Sequence, residues 1–180
     1  MRIKPKFSLR LMLILTTILV VLFAISAYQL RKRQEIQRTQ AKFREKGVYV
    51  ELNSRGEVRS ASFAPYQTAG QPLAPIDKSP RAQVKAILVV ATLKNISFVG
   101  SRCFDTDVAA VVSKSLKWIE LSNTQITDSA LASLSKMETL THLYLSNIRI
   151  TDNGVKALSH LSGLKELSLM QTNISDSSIT

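Results

Sequence analysis

The sequence predicts an α/β architecture: a short solenoid of strand–turn–helix units preceded by a single transmembrane helix. Three observations carry this. Leu116, Leu140 and Leu164 recur at a step of 24 residues, as do Ile119, Leu143 and Leu167, and Leu121, Leu145 and Leu169. Residues 11–30 contain no charged side chain. The net charge of +11 is concentrated around that apolar run, since eleven of the 24 Lys and Arg residues but only two of the 13 acids precede Gly47. A fixed step of 20 to 29 residues means stacked coils, because one coil cannot cover its own apolar stripe.

Residues 1–10 form a basic tail with Arg2, Lys4, Lys6 and Arg10. Residues 11–30, LMLILTTILVVLFAISAYQL, follow as the membrane span. Twenty helical residues extend about 30 Å, the thickness of a bilayer's hydrocarbon layer. Arg10 and Arg31-Lys32-Arg33 close its ends, and Tyr28 lies where an amphipathic ring favours the interface. A cleaved signal peptide is the rival reading, with Leu11 to Phe23 as its apolar part and Ala24-Ile25-Ser26 as a cleavage region. The bases directly after that cut oppose export. The protein is therefore expected in a membrane as a single-pass chain, with bases on both flanks that attract anionic lipid. Those bases leave the side of the soluble domain open.

Residues 31–46 are polar, free of Gly and Pro, and predict a helical juxtamembrane stalk that Gly47 stops. Residues 47–92 predict a capping region at the head of the stack. Val48, Val50 and Leu52 alternate as a strand, Asn53 to Gly56 turn the chain, and Val58 to Phe63 return it. Pro65 to Pro80 is a loop. Val84, Ile87, Leu88 and Ala91 then fall on one helix face.

Residues 93–180 hold the repeats. Leu93, Ile96, Phe98, Ser101 and Cys103 form a degenerate first unit, 23 residues ahead of the next. In each unit the alternation around Ile119 and Leu121 points those residues inward, and Trp118, Glu120 and Ser122 outward. Thr127-Asp128 and Thr151-Asp152 are positioned to cap short helices. The column Asp128, Asp152 and Asp176 is assigned to capping rather than to calcium, which needs six to eight oxygens. Solenoid ends need a polar cap, and none is visible after Ile174, which implies a fragment or a covered edge.

LKWIELSNTQITDSALASLSKM and LTHLYLSNIRITDNGVKALSHL resemble the leucine-rich repeat family, in the F-box-associated, cysteine-containing-like subtype with Ile-Thr-Asp after the strand. Ser101, Thr124, Ile148 and Thr172 stand where that family has Asn or Cys. Thr there is expected to bond backbone amides, with Ile148 interrupting the ladder. Phe7-Ser8-Leu9-Arg10 before the apolar span resembles membrane-anchored bacterial repeat proteins. The resemblance implies a solenoid with a concave strand face. A ubiquitin-ligase substrate-adaptor role would need an F-box, and none is readable ahead of the repeats.

The candidate protein-binding face comprises Trp118, Glu120, His142, Tyr144, Glu166, Ser168 and Met170, since clustered aromatics beside charges mark binding hot spots. The expected function is non-catalytic capture of a protein partner on that face. Self-association through the stalk and the open repeat end is the rival structural role. His142 beside Glu166 lacks a nucleophile, an oxyanion hole and an enclosing pocket, so no enzyme and no catalytic residue is assigned. Cys103 is the single cysteine, and His142 and His160 lack metal spacing, so no cofactor or metal is expected. The part after Lys46 holds 13 bases against 11 acids, without the basic clusters that phosphate tracking requires, which argues against nucleic acid. The Asn95 and Asn173 glycosylation sequons are read as chance matches beside inward isoleucines.

Overall fold

The computed structural model describes residues 9–63 and 80–175. The expectations for Phe7, Ser8, the loop before Pro80, Asp176 and the chain end lie outside those residues. The chain divides into two compact units, residues 1–39 and 40–180.

Helix α1 spans Leu9–Arg44 without a break, and none of its residues is buried. The expected span and stalk are thus one helix, as continuous helix formers without Gly or Pro allow. It is long and apolar enough to cross a membrane. The hydroxyls of Thr16 and Thr17 donate to the carbonyls of Leu13 and Ile14 at 2.9 and 2.8 Å. Gly47 follows at φ 72°, a left-handed conformation that ends the helix.

In the second unit, β1 (Tyr49–Leu52) and β2 (Val58–Ser62) form the expected antiparallel hairpin. Its turn is held by Asn53 Oδ1, which accepts from the amides of Arg55 and Glu57, and Gly56 adopts φ 85°. Helix α2 (Pro80–Leu88) buries Val84 and Ile87. Ala91 lies beyond its end and is exposed, because the helix stops three residues before it.

Four parallel strands continue the sheet: β3 (Asn95–Ser97), β4 (Trp118–Glu120), β5 (His142–Tyr144) and β6 (Glu166–Ser168). The sheet order is β1-β2-β3-β4-β5-β6, so each strand pairs with its neighbour in the chain. Helices α3 (Asp105–Val111), α4 (Asp128–Leu134) and α5 (Asp152–Ala157), the last extended by a 3-10 turn at Leu158–His160, return the chain after β3, β4 and β5.

One apolar interior runs through this unit. Register places Ala61, Ile96, Ile119, Leu143 and Leu167 side by side on the inward face. Leu121 and Leu145 are fully buried, and Leu169 packs partly against the same core. Cys103 fills the slot that Ile126 and Ile150 occupy in later coils and is equally buried. Each buried Leu or Ile contributes about 1.5–3 kcal/mol of transfer free energy. Phe63 and Phe98 stack inside the hairpin end, with centroids 4.4 Å apart and planes within 6°.

Candidate functional site

The turn after each strand sets the geometry of the outward face. Gly100, Asn123, Asn147 and Gln171 occupy equivalent positions, all with φ between 53 and 64°. Glycine and asparagine tolerate this conformation best. Asn147 Nδ2 donates to Asn123 Oδ1 at 2.7 Å, joining two coils. This column escaped sequence reasoning, which watched the next position instead. At that next position the expectation is corrected. Thr124, Thr172 and Ser101 do not accept from amides; their hydroxyls donate to Leu121, Leu169 and Phe98 carbonyls, each at 2.6 Å. Ile148 is buried there, so the slot accommodates an apolar side chain when the hydroxyl bond is absent.

The aspartate column also differs from the expectation of local capping. Asp105 accepts from the amide and hydroxyl of Thr127 at 2.8 and 2.6 Å. Asp128 does the same for Thr151 at 2.9 and 2.6 Å, and Asp152 for Ser175 at 2.7 and 2.6 Å. Each carboxylate opens its own helix but binds across to the following coil, at the N-cap residues Thr127 and Thr151 and at Ser175. Paired charge-assisted bonds of this kind fix register between coils. Gly154 leaves the room that the Asp128 carboxylate occupies; a Cβ there would overlap it.

Held this way, the strands display two outward columns. Register aligns Ser60, Asn95, Trp118, His142 and Glu166 in one. Tyr49, Ser62, Ser97, Glu120, Tyr144 and Ser168 form the other, with Ser97 buried within it. Trp118 and Tyr144 are diagonal neighbours across β4 and β5, with ring centroids 5.6 Å apart and planes tilted by 50°. The Glu166 carboxylate beside the Tyr144 phenol raises the phenol's pKa above the usual tyrosine value. Glu166 Oε2 also lies 3.8 Å from His142 Nε2, and His142 Nδ1 is 2.8 Å from Thr141 Oγ1. Glu120 accepts from the Ser122 amide at 3.0 Å.

Trp118, Glu120, His142, Tyr144 and Glu166 are therefore gathered into one corner. Ser168 is turned toward Ser146, with their hydroxyls 3.1 Å apart. Ser122 is a correction: it is buried, and its hydroxyl accepts from the Ser146 amide at 3.0 Å, so it joins coils instead of facing outward. Met170 is 70% exposed beside the last strand. Burial raises the pKa of the Cys103 thiol far above the ordinary thiol range, with help from Asp107 and Asp105, so it is an inert core group. Among the described residues, no cluster of His, Cys, Asp or Glu is arranged to hold a metal.

Strand, left-handed turn and helix in one repeated register define a repeat solenoid. Residues 136–159 match the family model described as Leucine Rich repeat. That match covers one coil, and its neighbours carry the same pattern. Among solved structures, an internalin (inlF) from Listeria monocytogenes is similar at 18% identity and a TM-score of 0.38, over 50% of this chain. The chain covers about a third of that protein, 32% of its length. No curated protein matches the sequence.

Proposed function

We propose that this protein is anchored by α1 as a single membrane span and binds a protein partner on its outward strand face, without catalysing a reaction. The observation that carries the binding reading is the corner itself. Trp118, His142, Tyr144 and Glu166 are neighbours across three adjacent strands, stay partly accessible, and sit on a sheet whose register is pinned between coils. Rigid aromatics on a fixed scaffold lose little entropy on binding, which is why such residues dominate hot spots. The anchor reading is supported by the absence of charge from residues 11–30 and by Thr16 and Thr17, whose hydroxyls are satisfied within the helix.

The test uses the full chain in its native membrane, with a photo-crosslinker placed at position 144 or at Lys156. Capture is expected from position 144 and not from Lys156. Tyr144→Ala, in a chain without the crosslinker, should weaken the captured complex about tenfold or more, on the scale of an aromatic hot spot. Its circular dichroism should match that of the unsubstituted chain. Equal capture from both positions would refute a face-specific site. Extraction by alkaline carbonate would refute the anchor.

Self-association is the competing reading, and one observation favours it. Leu167 is 37% exposed at the end of the described stack, where its column mates are buried. Concentration-dependent sedimentation of the purified protein, abolished by Leu167→Ser, would replace partner capture with assembly.

A further inference from the structure

We propose that the corner made by Trp118, Glu120, Tyr144 and Glu166 seats a basic side chain, arginine above all, presented by the protein partner. This rests on the face-binding reading and adds the chemistry of the group recognised.

The first argument is charge. The chain carries +11, yet the outward positions of β3 to β6 hold Glu120 and Glu166 and no Lys or Arg; the exposed Arg59 lies on β2, beside Glu51 in the hairpin. The lysines nearest in sequence, Lys94, Lys117 and Lys165, come one residue before their strands. The Lys94 ammonium is turned onto the Ser115 carbonyl at 3.5 Å. A negative face on a positive protein favours a cationic group and disfavours further copies of the chain's own carboxylates.

The second argument is the state of the two rings. Phe63 and Phe98 lie parallel and cover each other, as core aromatics do. Trp118 and Tyr144 are tilted by 50°, so their faces are not spent on one another. Trp offers the strongest ring face for a cation, and guanidinium pairs with such faces more often than ammonium.

The third argument is that the molecule already makes this contact once. The Arg44 guanidinium sits 6.0 Å from the ring centroid of Tyr49. Tyr49 belongs to the same outward column as Tyr144. One aromatic in the row is thus matched by an arginine of the chain itself. The Trp118–Tyr144 pair has the same ring chemistry with two carboxylates added. Glu120 is held by the Ser122 amide through Oε1, which leaves its second oxygen out of that bond, and Glu166 is exposed beside His142. A planar fork between a ring and a carboxylate is arginine's preferred setting.

Trp118 is the only tryptophan, so the intrinsic fluorescence of the full chain in detergent micelles reports on this corner. The probes are a short Ser/Gly peptide with alternating arginines, the same peptide with citrulline at each arginine, and phosphatidylcholine vesicles. The arginine peptide should change the emission saturably, with citrulline weakening it about tenfold or more. Glu120→Gln with Glu166→Gln should weaken it by a similar factor. Gln keeps the oxygen that accepts from Ser122, and circular dichroism checks the fold; Glu166→Gln alone is the second variant. Equal response to arginine and citrulline, no effect of the Gln variants, or response to vesicles alone would each overturn the proposal. Capture of a partner from position 144 without arginine binding would sink this inference and leave the face-binding reading standing.

Discussion

The middle coil and the last described coil share one sequence pattern and differ in how well it is buried. Leu143 on β5 is fully buried, with a strand on each side. Leu167, its equivalent on β6, is 37% exposed. Leu145 is likewise sealed, whereas Leu169 is only partly covered. The difference is not in the residues but in their neighbours. Burial in this fold is supplied by the adjacent coil, so a repeat is stabilised by what stacks on it and not by its own composition.

The largest effect that sharpens this contrast is expected from Leu145→Asp. It places a charge in the shared column between two coils, where neither water nor a counter-charge can reach it. The whole solenoid should lose its circular dichroism signal, since each coil depends on the next. Survival of the other coils would break the account of one continuous interior.

A smaller effect is expected from the ties between coils. Asp128→Ala removes two hydrogen bonds to Thr151 and leaves an amide to find water, at a cost of about 1–3 kcal/mol in urea unfolding. Gly154→Ala should destabilise by a comparable amount because its Cβ would overlap that carboxylate. Combining them should cost less than the sum of the two, because the alanine at 128 removes the clash. Strict additivity would show that Gly154 is not there to accommodate Asp128.

Much of the fold was legible in the step of 24 residues. Columns such as Ile119, Leu143 and Leu167 follow directly from it, as does the inward or outward sense of Trp118, Ile119, Glu120 and Leu121, though not that of Ser122. The hairpin was legible because alternation and the Asn53–Gly56 turn agree. What the sequence hid were relations between coils. Asp128 looks like a local cap on any one unit, and only the stacking shows it reaching Thr151 in the next. The left-handed column had a signal, since Asn123 and Asn147 recur at the repeat step. Attention to the neighbouring threonines obscured it. At the candidate site, the columns gave direct neighbours such as Trp118 and His142. The ring pair is diagonal, Trp118 with Tyr144, and a diagonal contact depends on side-chain reach as well as register.

The central claim is that each coil is buried by the next, and paired truncations test it most directly. Leu143→Ala and Leu167→Ala remove the same atoms from equivalent positions. Urea unfolding should show a loss of about 2–5 kcal/mol for Leu143→Ala, and roughly half of that or less for Leu167→Ala. Equal losses at the two positions would contradict it.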